Sequence, residues 1–292
     1  MDLLQLRYFQ AVARREHLSQ AAAELRVAQP SLSRAIARLE ADLGVPLFDR
    51  VGRGLRLNRF GARFLRRVDR VLRELDDARR ELADSAGLDR GSVAVAAETL
   101  LTLTGLLTEF RAGHPGVNTR LYQSSAATMA EQLRIGEVDL CFASQPLSGP
   151  DLRTLELLRE EVLLAVPPGH RLAGRERVRL EELADERFVT TRPGYWPREL
   201  CDRLFAEAGL RPQYTCESDE PGATGDLIGA GLGVGLVPEF SRRTITHAPA
   251  AWLRLDVPDC HRSLTLVWRK DTYLSAAARR LTDFARDYFR SL

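Results

Sequence analysis

The sequence predicts an α/β chain of two domains, in which a winged helix-turn-helix precedes a long linker helix and a C-terminal α/β domain. A length of 292 residues corresponds to about two domains of roughly 150 residues. Short amphipathic helical patterns fill the front of the chain, whereas β and α patterns alternate after residue 90. The composition, 45% hydrophobic and 28% charged, is typical of a globular protein and excludes collagen-like or wholly disordered chains.

The charge of the chain is unevenly distributed. The total is +2, which by itself predicts no partner. Residues 1–73, however, contain 15 basic and 7 acidic residues, and residues 74–292 contain 27 basic and 33 acidic residues. This excess of positive charge at the front of the chain indicates nucleic acid as a candidate partner of that segment.

Three short helices are predicted in the first domain, residues 1–58. Leu3, Leu6 and Phe9 recur at helical spacing and predict the first helix. Ser19 is a good N-cap for a second helix with the sequence QAAAEL. A third helix is predicted from about residue 29 to residue 42, with a proline in its first turn. Its buried stripe is predicted to consist of Leu32, Ile36 and Leu39.

The opposite face of the third helix carries small, amide and arginine side chains. Two helices joined by a tight turn, with such a face outward, are typical of a DNA-reading helix-turn-helix. The side chain of Arg34 can hydrogen-bond to guanine, and that of Gln29 can hydrogen-bond to adenine. Ser31 and Arg38 suit contacts to phosphates. The alternative is an ordinary solvated helix face. The candidate DNA contacts on this face are Gln29, Pro30, Ser31, Ser33, Arg34 and Arg38.

The segment VPLFDRVGRGLRL predicts a β-hairpin, because apolar residues flank a turn that contains two glycines. The hairpin carries three arginines, Arg50, Arg53 and Arg56. An arginine at a loop tip suits insertion into a narrow minor groove. The hairpin is therefore predicted to form a wing, and its three arginines are further candidate DNA contacts.

A linker helix is predicted over residues 59–89. Its apolar positions are 4, 3, 4, 3 and 4 residues apart, which is the heptad spacing of helices that pair two chains. The alternative is packing on its own domain, and Leu65 and Leu72 widen the stripe in that direction. A dimer would place two recognition helices about one DNA turn or a multiple apart and imply a near-palindromic site. The predicted seam is Phe64, Val68, Val71, Leu75, Ala78 and Leu82.

Residues 90–292 alternate β and α segments with short connections, which predicts a mostly parallel sheet. Ligands of such sheets bind beyond the carboxyl ends of the strands. The turns at these ends are rich in hydroxyl groups, and an arginine there could pair with a ligand carboxylate. The alternative is that these serines and threonines are ordinary N-caps and turn residues. The candidate ligand contacts are Glu98, Thr99, Ser125, Thr128, Ser144, Thr191, Arg192, Asp219 and Gly222.

No motif for catalysis, a cofactor or a metal is found in the sequence. P-loop, GxSxG and HExxH motifs are absent, and the glycines of GAGLGVG (229–235) lack GxGxxG spacing, so close helix–strand packing explains them better. The five histidines are isolated, and the four cysteines are too far apart for a zinc site. We expect reduced structural cysteines, with a redox pair of Cys201 and Cys216 as the alternative. Without a recognisable signal peptide, a cytoplasmic bacterial protein is expected.

The segment LSQAAAELRVAQPSLSRAIARLEADLGVPLFDRVGRGLRLNRFG resembles the N-terminal domain of LysR-type transcriptional regulators. Ala28 departs from the pattern, because many members have a serine there that caps the recognition helix, and alanine cannot cap. The resemblance implies a linker helix that pairs two chains, and dimers that assemble into tetramers. It assigns base-facing positions to Gln29, Pro30, Ser33 and Arg34, and the wing position to Arg53.

FRAGHPGV, AEQLRIGEVDL and ESDEPGATGDLIGAGLGVGLVPE are similar to the effector-binding domain of the same family. The resemblance implies the two-lobed fold of type 2 periplasmic binding proteins, with one lobe of residues 90–161 and 268–292 and another of 162–267. A small coinducer would bind between them. Glu98 stands where the family often has a small polar residue, which makes a simple monoanionic ligand less expected. The implied pocket residues are Thr99, Ser125, Thr191 and Gly222.

The expected function is a sequence-specific transcriptional regulator, not an enzyme and without a cofactor. Its partners would be promoter DNA, a small-molecule effector, a second copy of the chain and, as a further candidate, RNA polymerase. The alternative is a small-molecule binding protein whose N-terminal module serves only assembly. A specific, salt-sensitive DNA complex distinguishes the two.

Overall fold

A computed structural model describes residues 1–51, 54–85, 91–149, 151–243, 250–270 and 272–292. Two compact units are present, Met1–Ala83 and Asp84–Leu292. Of the linker helix predicted over residues 59–89, the structure shows a helix from Arg59 to Ser85, and residues 86–89 lie outside the described residues. In the described part of the chain, every helix is too short or too polar to cross a membrane.

The first unit contains the three predicted helices, the hairpin and most of the linker helix. The third helix begins at Gln29 as predicted, and Ala28 provides no side-chain cap. Its predicted stripe is buried: Leu32 and Leu39 are 0% exposed. The elements are α1 (Leu3–Arg15), α2 (Leu18–Leu25), α3 (Gln29–Leu43), β1 (Phe48–Val51), β2 (Gly54–Leu57) and α4 (Arg59–Ser85).

The predicted N-cap of the second helix was wrong. The helix begins at Leu18, and the Nδ1 atom of His17 accepts a hydrogen bond from the backbone of Gln20 at 3.4 Å. The N-cap and the helix start lie two residues earlier than predicted, and Leu18 packs against the core of the first unit. Ser19 is thereby inside the helix, and its hydroxyl donates to Oε1 of Gln29 at 3.2 Å.

An aromatic cluster joins the helices, the hairpin and the linker helix in the first unit. Phe9 is 0% exposed. Its ring centroid lies 5.6 Å from that of Phe48 on β1 and 5.2 Å from that of Phe64 on α4. Asp69 of α4, also buried, accepts a hydrogen bond of 2.7 Å from the side chain of Gln10 on α1. The first turns of α4 are therefore fixed to the helix-turn-helix.

The second unit contains an eight-stranded sheet and a separate pair of strands, with helices packed around them. The prediction of a mostly parallel sheet was wrong, since two long strands run antiparallel to their neighbours. The strand order is β4-β3-β5-β12-β6-β11-β7, β10 also pairs with β6, and β8 pairs with β9. The strands are β3 (Ser92–Ala97), β4 (Asn118–Gln123), β5 (Leu140–Ala143), β6 (Leu152–Val166), β7 (Arg177–Val178), β8 (Arg187–Thr191), β9 (Gln213–Ser218), β10 (Gly235–Pro238), β11 (Ala251–Leu255) and β12 (His261–Arg269).

Two lobes with separate hydrophobic cores form this unit. One core includes side chains of β3, β5 and the last helix, and the other includes side chains of β8, β10 and β11. Strand β6 contributes to both cores, and β12 pairs with it along its length. These two strands therefore connect the lobes. The helices are α5 (Thr104–Gly113), α6 (Ala126–Ile135), α7 (Trp196–Glu207), α8 (Thr224–Gly229) and α9 (Ala276–Arg290).

The glycine-rich segment at 229–235 allows close packing between a helix and strands. A Cβ atom on Gly235 would lie 2.6 Å from the backbone oxygen of Val189 and 2.8 Å from Cδ1 of Ile228 on α8. No side chain fits there. The sequence interpretation of this segment as a packing motif agrees with the geometry.

Candidate functional site

Helix α3 presents an exposed polar face on the side opposite its buried stripe. Gln29 and Arg34 are exposed. Because Oε1 of Gln29 accepts from Ser19, its amide nitrogen stays available as a donor. Nε of Arg34 donates to the Pro30 carbonyl at 3.3 Å. This bond leaves the two terminal nitrogens of the guanidinium for an external acceptor. Of the remaining candidates, Pro30, Ser31 and Arg38 are exposed and Ser33 is half-buried.

The hairpin places two of the predicted wing arginines on its surface. Arg50 lies opposite Leu55 across the strands, and Arg56 lies opposite Asp49. Both arginines are exposed. Arg53, the predicted tip residue, lies outside the described residues.

The predicted heptad seam of α4 divides into a buried and an exposed part. Val68 is 2% exposed and Phe64 is half-buried, and both pack in the core of the first unit. These two positions were wrongly assigned to pairing, because the first turns of α4 cover the helical core of their own unit. The later positions form an exposed stripe, which we call the linker stripe. It consists of Val71, Leu75, Ala78 and Leu82.

The second unit contains a recess between its lobes, which we call the inner recess. Its free volume is about 30 Å³, enough for little more than bound water. Thr99 and Gly222, both predicted ligand contacts, line it from opposite lobes. A Cβ atom at Gly222 would lie 2.6 Å from Cδ1 of Leu101, so glycine allows the lobes to approach here. Other lining residues are Thr102, Trp196, Thr224 and Arg262.

A second, more open depression lies nearby at the cleft and contains three more predicted contacts. Ser125, Thr128 and Arg192 line it, together with Tyr195. Ser125 caps helix α6 by accepting from the Thr128 backbone, as the N-cap alternative proposes. Arg192 forms an ion pair with Asp219, and both side chains are exposed. The cation suggested for a ligand carboxylate is therefore already paired.

A buried charged cluster lies against the inner recess. Arg262 is 3% exposed, and its NH1 lies 3.4 Å from Oε1 of Glu160, its cross-strand neighbour. Its Nε donates to Ser144 Oγ at 2.9 Å. Glu98, 2% exposed, accepts from the backbone of Ser144 at 2.9 Å and from the side chain of Gln145 at 3.2 Å. Burial raises the pKa of both carboxyl groups above their ordinary value.

The last predicted contact, Thr191, is 0% exposed at the end of β8, and its hydroxyl has no hydrogen-bond partner among the described residues. Thr224 shows the same feature at the wall of the inner recess. Buried hydroxyls in proteins nearly always have a partner. Each of these two groups is therefore a candidate for a ligand or a bound water.

The four cysteines are free thiols. Burial raises the pKa of Cys201 and of Cys260 to about 12, which suppresses the reactive thiolate. Cys216, the other member of the alternative redox pair, is half-buried. The structure contains no bond between Cys201 and Cys216.

Comparison with known protein families gives two matches. The model described as "Bacterial regulatory helix-turn-helix protein, lysR family" matches residues 3–62, and "LysR substrate binding domain" matches residues 86–290. A Bacillus subtilis protein, the HTH-type transcriptional regulator YybE, is 34% identical, with 99% of each chain covered. The chain belongs to the LysR family of transcriptional regulators.

Solved structures of other proteins match the fold, among them CbnR, a LysR family transcriptional regulator. Full-length CbnR in complex with its target DNA is 26% identical, with a TM-score of 0.67 and coverage of 98% of this chain and 99% of that one. The effector-binding domain of QuiR in complex with shikimate is 25% identical, with a TM-score of 0.60 and coverage of 69% and 98%. This chain is thus a LysR-type regulator with a helix-turn-helix and an effector-binding domain.

Several side chains of the LysR-type cleft were missed by the sequence interpretation. Thr102, Trp196 and Arg262 lie far apart in the sequence and meet only in the fold. One signal existed for Arg262: it occupies an inward position of β12, in step with Leu264 and Leu266. An arginine at a buried position of a strand calls for a partner.

Proposed function

We propose that this LysR-type regulator reads promoter DNA with the exposed face of α3 and positions itself with the wing arginines. The supporting observation is the separation of the two faces of α3. Leu32 and Leu39 are completely buried, whereas Gln29 and Arg34 are exposed with free donors. Arginine with guanine and glutamine with adenine are the pairings that major-groove geometry favours. The remaining contacts, Ser31 and Arg38 among them, would hold phosphates.

The linker stripe is proposed to pair two chains. Leu75 is 40% and Leu82 71% exposed on a helix whose opposite side is anchored in its own unit. Large exposed apolar side chains in a row at heptad spacing favour a helix partner. Pairing would fix the spacing of two recognition helices and so the spacing of the half-sites.

The effector is proposed to bind in the cleft and to shift the equilibrium between lobe arrangements. Two glutamine side chains bridge the lobes: Gln145 donates to the carbonyl of Gly194 at 3.3 Å, and Gln123 donates to that of Asp219 at 3.1 Å. A ligand that binds one lobe arrangement more tightly than the other raises the population of that arrangement. The size of the shift is set by the difference between the two affinities. We propose regulation by binding, not catalysis, in the cytoplasm where the promoter DNA is.

Gel-shift titration of the full chain against salt tests this function, with the intergenic DNA beside its own gene as the probe. We expect a specific complex whose log K falls steeply with log salt concentration, because phosphate contacts release counterions. A scrambled fragment of equal length is the control. Equal, salt-insensitive binding of both fragments would favour the alternative of a module that serves only assembly.

A further inference from the structure

The open depression at the cleft is large enough for a ligand, unlike the inner recess. Its free volume is about 460 Å³, which is within the range of small-molecule sites in proteins. The lobe that contains β8 contributes a short turn to its wall, which we call the cleft turn and which consists of residues 192–195. Arg192, Pro193 and Tyr195 line the depression. A ligand bound there would contact this turn, so the position of the turn matters for binding.

Packing does not fix the cleft turn in place. Pro193 and Gly194 are exposed, and a Cβ atom on Gly194 would have no neighbour within 4 Å among the described residues. The turn therefore depends on hydrogen bonds. The backbone of Arg192 donates to the Ser218 carbonyl at 3.1 Å, and the backbone of Gly194 donates to Oε1 of Glu199 at 2.9 Å. Both of these bonds stay within one lobe.

The opposite lobe holds the cleft turn through Gln145. Its side-chain nitrogen donates to the carbonyl oxygen of Gly194 at 3.3 Å and to Oε1 of Glu98 at 3.2 Å. A side-chain amide nitrogen has two N–H groups, so both of them are used. Glu98 is 2% exposed, and its other carboxyl oxygen accepts from the Ser144 backbone at 2.9 Å. The amide of Gln145 is therefore anchored to a buried carboxyl group on its own side of the cleft.

Gln123 also bridges the lobes, but it lacks such an anchor. Its side chain is exposed and donates to the Asp219 carbonyl at 3.1 Å. Among the described residues, this side chain has no second hydrogen-bond partner. Ordering a free glutamine side chain costs conformational entropy, and a side chain that is already held loses less when it forms a further bond. Gln145 is thus the better anchored of the two bridges.

We propose that Gln145 is a positioning residue of the ligand site, which holds the cleft turn and thereby sets where Arg192 and Tyr195 meet a ligand. This inference rests on the proposed ligand role of the cleft and names a residue that couples the lobes there. A ligand that displaces the turn must break the bond from Gln145 to Gly194. A ligand that fits the turn as it stands is favoured by the same bond. Gln145 thus contributes to the free-energy difference between lobe arrangements.

Hydrogen–deuterium exchange of the full-length protein tests this role without a ligand. In Q145L we expect segment 193–199 to exchange about fivefold faster, because loss of one hydrogen bond lowers the free energy of local opening by about 1 kcal/mol. Exchange in the rest of the second unit should stay as in the wild-type protein. Q123L is the matched control, since it removes the other bridge. In that variant segment 219–223 should exchange faster, and segment 193–199 should not.

E98Q tests the anchor while Gln145 is intact. A glutamine keeps an acceptor for the Ser144 backbone but turns a donor towards the amide nitrogen of Gln145. Segment 193–199 should therefore exchange faster than in the wild-type protein, by a smaller factor than in Q145L. E161Q is the matched control, since Glu161 pairs with Arg254 and should leave exchange of this segment unchanged.

Several results would overturn the inference. Unchanged exchange of segment 193–199 in Q145L would show that the cleft turn does not depend on this bond, and unchanged exchange in E98Q would remove Glu98 as its anchor. Equal acceleration over the whole second unit in Q145L would contradict a local role, as would equal acceleration of segment 193–199 in Q123L. The salt-dependent gel shift reports the proposed DNA function separately, so either experiment can fail while the other succeeds.

Discussion

The two units of this regulator position their candidate functional groups in opposite ways. In the first, Arg34 and Gln29 point away from a packed core, and their surroundings come from residues nearby in the sequence. In the second, Arg262 and Glu98 are buried, and their partners come from segments more than 40 residues away. A surface that reads DNA needs donors accessible to a large partner, whereas a small ligand can be enclosed. Changes that act on one unit should therefore leave the other largely intact.

The largest difference between the responses of the two units is expected from F9A, a substitution in the first unit. The substitution removes a completely buried ring that contacts Phe48 and Phe64, at a cost of about 3–5 kcal/mol. We expect DNA binding to be lost and the unfolding transition of the first unit to move to a lower temperature in calorimetry. F60A is the control, since that ring is 41% exposed. Equal losses of DNA binding in F9A and F60A would contradict this expectation. So would an equal fall in the unfolding temperature of the second unit.

A smaller effect, still within the first unit, is expected from L75K in the linker stripe. A lysine there places charge at the proposed pairing surface, so sedimentation should shift from dimer towards monomer. DNA affinity should fall by roughly 100-fold, because binding through two linked half-sites is lost. L232K introduces the same change at a leucine of similar exposure, 43% against 40%. Unchanged sedimentation of L75K would count against the linker stripe as a pairing surface.

The smallest effect concerns the buried carboxyl group of Glu98 in the second unit. Burial raises its pKa above 4.5, so the folded state holds the proton more tightly than the unfolded state. Stability contributed by this group is therefore greatest at low pH and declines as the pH rises above about 4.5. We expect the unfolding free energy to fall with pH less steeply in E98Q than in the wild-type protein. A glutamine keeps an acceptor for the Ser144 backbone. E161Q should retain the wild-type slope, and a steeper slope in E98Q would contradict the cause given for the pKa.

The first unit was largely predictable from the sequence, because helical periodicity directly determines which side chains are buried. The stripe of α3 followed from spacing alone. The division of the linker seam did not follow from spacing: Val68 and Leu75 occupy equivalent heptad positions, seven residues apart, yet only Val68 is buried in its own unit. In the second unit, strand ends were located, but sequence order does not show which ends meet. Arg262 was missed since its partners Ser144 and Glu160 come next to it only through the pairing of β12 with β5 and β6.

DNA affinities of the wild-type protein and R34A, measured over operators changed one base pair at a time, test the central claim most directly. If Arg34 reads a guanine, the variant should lose about 1–3 kcal/mol of discrimination at one base pair and little elsewhere. R111A, which changes an exposed arginine of the second unit, should behave as the wild-type protein. Uniform weakening of R34A across all operators would make Arg34 a phosphate contact and contradict the account of α3 as the reading helix.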